Sequence, residues 1–107
     1  MEIKQYQILL VDFDPTVGSE IKKTRPCVVI SPNEMNKYLQ TVVVAPMTTQ
    51  SKRYATRVEV KHNGKDGWII IEQIRTIDKA RILKVLDKLS AKEIEKVKSV
   101  IRETFVD

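Results

Sequence analysis

Residues 11–32 read VDFDPTVGSEIKKTRPCVVISP, the most informative segment of the chain. It joins one apolar run, which ends at Asp12 and Asp14, to a second run that opens with Arg25 and Pro26. Short runs rich in Val and Ile predict strands, and the polar segment with a glycine between them predicts a loop. A loop of hydroxyl groups and cations between two strands is suited to binding a phosphate group.

Further short strands are predicted along the chain, separated by turn signals. They cover residues 6–12, 27–31, 41–45, 56–61, 68–73 and 84–86. The segment HNGKDG at 62–67 predicts a hairpin, because Asn-Gly readily adopts the positive φ angles of a tight turn. Residues 31–33 favour a short helical turn that runs through Tyr38.

The C-terminal segment changes to a helical period. Ser90 and Glu93 form a capping-box pattern, which marks the start of a helix. Apolar residues then follow at spacings of three and four, which predicts one amphipathic helix over residues 91–105; they are Ile94, Val97, Ile101 and Phe105. Many short strands and one terminal helix predict a single α+β domain, 1–107, built as a small curled β-barrel.

The composition is that of a soluble single-domain protein and argues against a membrane protein. A chain of 107 residues with 42% hydrophobic residues suits one soluble domain. No apolar run approaches the ~20 residues of a membrane helix. The N-terminus lacks the pattern of a secretory signal, so a cytoplasmic location is expected. The single cysteine, Cys27, lies in an apolar run and is expected to be a buried strand thiol.

The net charge of +5 is unevenly placed. Residues 22–57 contain seven basic side chains and one acid, which gives this segment a charge of +6. The remainder has twelve basic residues and thirteen acids, so its charge is −1. A local excess of cations is expected where a protein binds a polyanion, although a solvated basic face without a partner would look the same.

Several catalytic mechanisms are excluded by the residues present. The chain has one histidine, His62, which falls in the expected hairpin and should be an exposed turn residue. A ribonuclease mechanism that uses two histidines as acid and base is therefore impossible. The sequence also has no Cys/His cluster with zinc-ligand spacing and no Gly-rich phosphate loop of the nucleotide-binding type.

Two kinds of phosphodiester cleavage stay open. Asp12 and Asp14 share a strand face and, with Glu20 or Glu34, could hold a divalent ion. Aspartates at strand ends also commonly cap turns, and Pro15 follows directly. The other possibility needs no metal, because RNA carries its own nucleophile in the 2′-hydroxyl.

Metal-free cleavage requires alignment of that hydroxyl, charge stabilisation at phosphorus and protonation of the leaving oxygen. A fixed arginine suits the second task, since its planar fork binds two phosphate oxygens. Arg25 stands at the start of one strand, and Thr48 and Thr49 follow another. Arg25 could alternatively be a surface ion-pair partner, and Thr48 could cap a loop.

Three blocks of the chain resemble the MazF/PemK (Kid-like) family of toxin endoribonucleases. They are TRPCVVISP at 24–32, VAPMTTQSK at 44–52, and an acidic-Gln-aliphatic-basic motif, EQIR, at 72–75. The resemblance implies an SH3-like β-barrel with a packed C-terminal helix. It also implies that Arg25 and Thr48 are the main catalytic residues and that Glu20 belongs to the active-site region. An arginine is a poor general base, so Arg25 is expected to act electrostatically or as the general acid, and Glu20 is the candidate base.

The resemblance also sets expectations for ligands and partners. The family acts as a homodimer without a cofactor, cuts single-stranded RNA at a short sequence, and is blocked by an antitoxin whose acidic segment fills the basic groove. The residues expected to bind RNA are Thr16, Ser19, Lys22, Lys23, Thr49, Gln50, Lys52, Arg53, Gln73 and Arg75. Two rivals stay open: a gyrase-binding toxin of the same fold that cleaves nothing, and a non-catalytic nucleic-acid-binding barrel.

Overall fold

The computed structural model describes residues 2–13, 24–62 and 64–107. Its seven strands are β1 Gln7–Asp12, β2 Thr24–Val29, β3 Thr41–Thr48, β4 Arg57–His62, β5 Lys65–Ile70, β6 Arg75–Asp78 and β7 Ile82–Lys88. Its two helices are α1 Asn33–Tyr38 and α2 Ala91–Ile101, and single 3-10 turns lie at Ile71–Gln73 and Lys79–Arg81. No helix within these ranges is long and apolar enough to cross a membrane.

The strands form one antiparallel sheet in the order β4-β5-β3-β2-β1-β7, and β6 also pairs with β3. Although β4 and β7 stand at opposite ends of this order, Nδ1 of His62 lies 3.5 Å from Oδ2 of Asp87. The sheet therefore curls until its edges meet, helped by register shifts in β1 that bend the strand. This architecture confirms the expected α+β class and the small β-barrel with a C-terminal helix.

Strand alternation divides the apolar side chains between two cores. In β1, Ile8 enters one core, while Leu9 and Val11 enter the other. Successive side chains of a strand point to opposite faces, so both faces of the sheet are covered. Cys27 lies fully buried in the second core, as expected for a structural thiol. Burial raises its pKa to about 12, although the charges of Arg25 and Arg75 act to lower it.

The terminal helix begins as the sequence predicts. Ser90 Oγ accepts a hydrogen bond from the backbone N–H of Glu93, and the Glu93 carboxylate accepts one from the backbone N–H of Ser90. The other carboxylate oxygen of Glu93 accepts from the N–H of Lys61, which ties the helix to β4. One expectation was wrong: Phe105 is exposed, because a wider π-type turn from Arg102 to Val106 rotates it off the apolar face.

The strands differ from the prediction in two places. The run expected to be a strand at 68–73 is a strand only to Ile70, since Ile71–Gln73 forms a 3-10 turn. The chain then makes an unpredicted strand, β6, because Arg75–Asp78 can pair with the first half of β3. The hairpin between β4 and β5 was correctly predicted, and Gly64 has a φ of 71°.

Candidate active site

Two neighbouring cavities open on the sheet, and Arg25 lines both of them. The main cavity has a volume of about 470 Å³ and the side cavity about 240 Å³. The main cavity is lined by Arg25, Pro26, Met47, Thr48, Thr49, Gln50, His62, Asp66 and Gly67. The side cavity is lined by Phe13, Arg25, Pro46, Ile70, Gln73 and Arg75.

Arg25 and Thr48 meet because β2 and β3 are antiparallel neighbours. The register pairs Cys27 with Pro46, so the start of β2 lies beside the end of β3. Arg25 is exposed near the mouth of the sheet, and Thr48 is half-buried at the last position of β3. The structure thus brings the two residues singled out by the sequence to one cavity, with a cation and a hydroxyl available to a phosphate.

The Thr48 hydroxyl is held by the turn that follows it. Its Oγ1 accepts a hydrogen bond from the N–H of Gln50 at 3.2 Å and donates to the carbonyl of Gln50 at 3.2 Å. Thr49 also lines the main cavity. Because β3 ends at Thr48 and the chain bends at Thr49, strand alternation does not separate these two side chains.

Gln73 and Arg75 stand together in the side cavity with Arg25. The guanidinium of Arg75 lies 4.9 Å from the centroid of the Phe13 ring, a distance at which the ring face attracts a cation. Both Arg25 and Arg75 are close enough to Cys27 to influence its pKa. The two arginines therefore form one local positive field that spans the border between the cavities.

Lys52 and Arg53 do not join this group, although the sequence placed them among the RNA-binding residues. Arg53 lies 3.8 Å from the carboxylate of Glu59 and 5.9 Å from the centroid of the Trp68 ring. These contacts belong to a separate surface beside α2, and neither cavity around Arg25 includes Lys52 or Arg53 in its lining. The chain therefore leaves the lining of the two cavities after Gln50, which no signal in the sequence indicated.

The expectation for His62 was wrong. Its side chain is only 16% exposed, and it lines the main cavity with Arg25 and Thr48. The sequence held a signal for this position, because His62 follows Val58 and Val60 at intervals of two. In the structure both valines are buried. Alternation along β4 therefore places the imidazole on the inner face. Asp66 in β5 also lines the cavity and was likewise missed.

Five of the expected site residues lie outside the described part of the chain: Thr16, Ser19, Glu20, Lys22 and Lys23. Asp14 of the alternative metal site lies outside it as well. Among residues 2–13, 24–62 and 64–107, no three His, Cys, Asp or Glu side chains are grouped as metal ligands would be. The alternative built on Asp12 and Asp14 is therefore not tested by this geometry.

Known structures share this fold over almost the whole chain. The MazE–MazF complex of Deinococcus radiodurans (form II) superposes with a TM-score of 0.85, covering 96% of this chain and 95% of that one at 23% identity. The Mycobacterium tuberculosis toxin MazF-mt6 gives a TM-score of 0.79, with coverage of 92% and 95% at 22% identity. At these identities the similarity establishes the fold.

Sequence similarity establishes the family. Endoribonuclease MazF of Staphylococcus saprophyticus is 36% identical over 105 residues, covering 92% of this chain and 88% of that protein. The family model of the PemK-like, MazF-like toxins matches residues 4–105. The matched region includes both cavities, the curled sheet and α2. The chain therefore belongs to the PemK-like, MazF-like family of toxins of type II toxin–antitoxin systems.

Proposed function

We propose that the chain is an endoribonuclease toxin that cuts single-stranded RNA at a short sequence without a metal ion. Cleavage leaves a 2′,3′-cyclic phosphate and a 5′-hydroxyl. The observation that carries this proposal is the shared cavity of Arg25 and Thr48, at the adjoining ends of β2 and β3. Membership of the toxin family, with a relative named as an endoribonuclease, supports it.

The arrangement of side chains suits transesterification by the substrate's own 2′-hydroxyl. Arg25 binds the scissile phosphate and stabilises the charge that develops on its oxygens. Arginine side chains have no free acceptor for a proton, so the base must be another group. The Thr48 hydroxyl donates a hydrogen bond to a phosphate oxygen. It must first give up the hydrogen bond that it donates to the carbonyl of Gln50. Glu20 is the proposed base for the 2′-hydroxyl.

The position of Arg25 between two cavities suggests how a strand would lie. The main cavity's volume falls within the roughly 300–1,000 Å³ typical of ligand sites. A nucleotide on one side of the cut would occupy it, and the neighbouring nucleotide would occupy the side cavity, near Gln73 and Arg75. The amide of Gln73 can bond a base edge and Arg75 a phosphate, as expected for positions that select the sequence.

We further propose an antitoxin partner, a homodimer and a cytoplasmic location. The Deinococcus radiodurans structure is a MazE–MazF complex, and a mycobacterial endoribonuclease with the same fold (TM-score 0.79) is described with its cognate antitoxin. An acidic, flexible segment of the antitoxin would be attracted by the field of Arg25 and Arg75 and would cover the cavities. RNA and antitoxin would then compete for one groove.

The experiment that tests the proposal is cleavage of mixed RNA by purified protein in excess EDTA. Arg25→Ala should lower the cleavage rate ~10²–10³-fold, the usual loss when one charge-stabilising group is removed. Lys84→Ala is a matched control, because Lys84 is an exposed strand cation outside both cavity linings. Equal activity of the parent, Arg25→Ala and Lys84→Ala would overturn the proposal.

The same assay separates the rivals. A gyrase-binding toxin would leave RNA intact and would not need Arg25 for any reaction on it. A non-catalytic barrel would bind RNA in a salt-dependent manner without shortening it. Intact RNA in the presence of folded, parental protein would favour one of these two functions, and a gel-shift measurement would then distinguish them.

A further inference from the structure

The imidazole of His62 is an unused proton-transfer group inside the proposed active site. It lines the main cavity together with Arg25 and Thr48. Its Nδ1 is buried and has no hydrogen-bond partner, yet it lies 3.5 Å from Oδ2 of Asp87. Neither the family's sequence motifs nor the roles assigned above account for a histidine at this position.

The surroundings of His62 determine which nitrogen can meet a ligand. Because Nδ1 is buried and faces the Asp87 carboxylate, Nε2 is the nitrogen left for a molecule in the cavity. A carboxylate on the Nδ1 side of an imidazole favours the ring orientation that directs Nε2 to the substrate. Asp87 is half exposed, so water can reach this side of the imidazole and return a proton to it after a reaction.

Cleavage of RNA by the 2′-hydroxyl needs such a group. As the bond from O2′ to phosphorus forms, the bond from phosphorus to O5′ breaks, and O5′ must receive a proton. A guanidinium group is a very weak acid in general, so an arginine is a poor proton donor for this step. Among the described lining residues of the main cavity, the titratable side chains besides Arg25 are His62 and Asp66.

We propose that His62 is a catalytic residue, the general acid that protonates O5′, and that Asp87 is its positioning residue. The step balances without a co-reactant: the 2′-hydroxyl loses a proton to the base, Nε2 gives one to O5′, and water restores both groups. The proposal rests on the endoribonuclease function argued above. It leaves Arg25 with charge stabilisation alone and assigns the role of general acid to His62 instead.

A substrate with sulfur in place of O5′ at the cut tests this role. A thiolate leaves without needing a proton, so the loss of a general acid matters little with this substrate. His62→Gln should lower the rate on the normal substrate ~10²-fold or more, since general acids contribute typically 10²–10⁴-fold. On the sulfur substrate the same variant should stay within a few-fold of the parent.

Two further variants complete the design. Asp87→Asn should lower the cleavage rate on the normal substrate by less than His62→Gln does, and its rate should recover on the sulfur substrate, which a merely structural ion pair would not cause. Arg25→Ala should be impaired on both substrates, because it stabilises phosphate charge and not the leaving group. Thermal unfolding of each variant gives the folded fraction, and the ratio of the two rates is independent of that fraction.

The outcomes separate the two proposals. If His62→Gln is impaired equally on both substrates, or on neither, His62 is not the general acid, while cleavage by the parent still upholds the endoribonuclease function. If the parent cuts neither substrate, the proposed function itself fails. Recovery of Arg25→Ala on the sulfur substrate would instead make Arg25 the acid and overturn the assignment of His62.

Discussion

The carboxylate of Glu72 binds the guanidinium of Arg57 through two hydrogen bonds, 2.7 Å from Nη2 to Oε2 and 3.4 Å from Nε to Oε1. Thr56 Oγ1 donates to the same carboxylate at 2.8 Å, and Arg57 Nη1 donates to Ser51 Oγ at 2.8 Å. Through Arg57, Glu72 therefore links the loop at Ser51 to the 3-10 turn Ile71–Gln73.

This network predicts an acid-sensitive part of the stability. The hydrogen bond from Arg57 lowers the pKa of Glu72 below its ordinary value of 4.5. A lowered folded-state pKa means that the stabilisation is present above about pH 4.5 and is lost as the pH falls through the folded-state pKa. Glu72→Gln should therefore destabilise the protein at pH 7 and show a smaller loss of stability on acidification than the parent.

Urea unfolding at pH 7 and at several values below pH 4.5 measures this effect. Glu2→Gln is a matched control, because Glu2 is exposed and its ion pair with Lys4 is a surface contact. If the stability difference between the parent and Glu72→Gln is the same at every pH, the Glu72 carboxylate is not the group that supplies it.

The two cavity threonines should differ in their effect on cleavage. The Thr48 hydroxyl is oriented by the N–H of Gln50, whereas Thr49 is exposed on the bend. Thr48→Ala should lower kcat ~10²-fold, as for loss of one donor to a charged transition state. Thr48→Ser should stay within a few-fold, because it keeps the hydroxyl. Single-turnover rates that fall equally for Thr48→Ala and Thr49→Ala would contradict this assignment.

Arg75 and Arg53 should differ in RNA binding. Arg75 lies in the side cavity with Arg25, while Arg53 contacts Trp68 and Glu59 on another surface. For single strands, the logarithm of the binding constant falls with the logarithm of the salt concentration, with a slope of about −0.7 per neutralised phosphate. Arg75→Ala should therefore make the slope shallower by about 0.7, and Arg53→Ala should leave it unchanged. Binding of a 2′-deoxy oligonucleotide measures both; a slope change for Arg53→Ala alone would reverse the assignment.

Much of the fold follows from local sequence signals. The capping box of Ser90 and Glu93 and the Asn-Gly turn near Gly64 were predicted because neighbouring residues determine them. The strand β6 was missed, because its residues become a strand only by pairing with β3, a tertiary effect. Phe105 fits the helical period, but the wider turn at the end of α2 removes it from the core.

The site was predicted only in part for a similar reason. The meeting of Arg25 and Thr48 depends on the register of β2 and β3, which the sequence did not specify; the two residues were singled out together because of the family resemblance. The position of Arg53 depends on how the loop before β4 turns, and nothing in its polar sequence specifies that path. His62 was misassigned because proximity to a turn was given more weight than its alternation with Val58 and Val60.

Cleavage by the substrate's own 2′-hydroxyl is tested with one RNA oligonucleotide and its variant that carries a single 2′-deoxy nucleotide on the 5′ side of the cut. Both are incubated with the parent protein and with Arg25→Ala in excess EDTA. The account predicts that the parent cuts only the all-ribose strand, leaving a 2′,3′-cyclic phosphate, and that Arg25→Ala is slower by at least ~10²-fold. Cleavage of the deoxy strand, or a requirement for a divalent ion, would contradict it and favour a metal site at the carboxylates near Asp12.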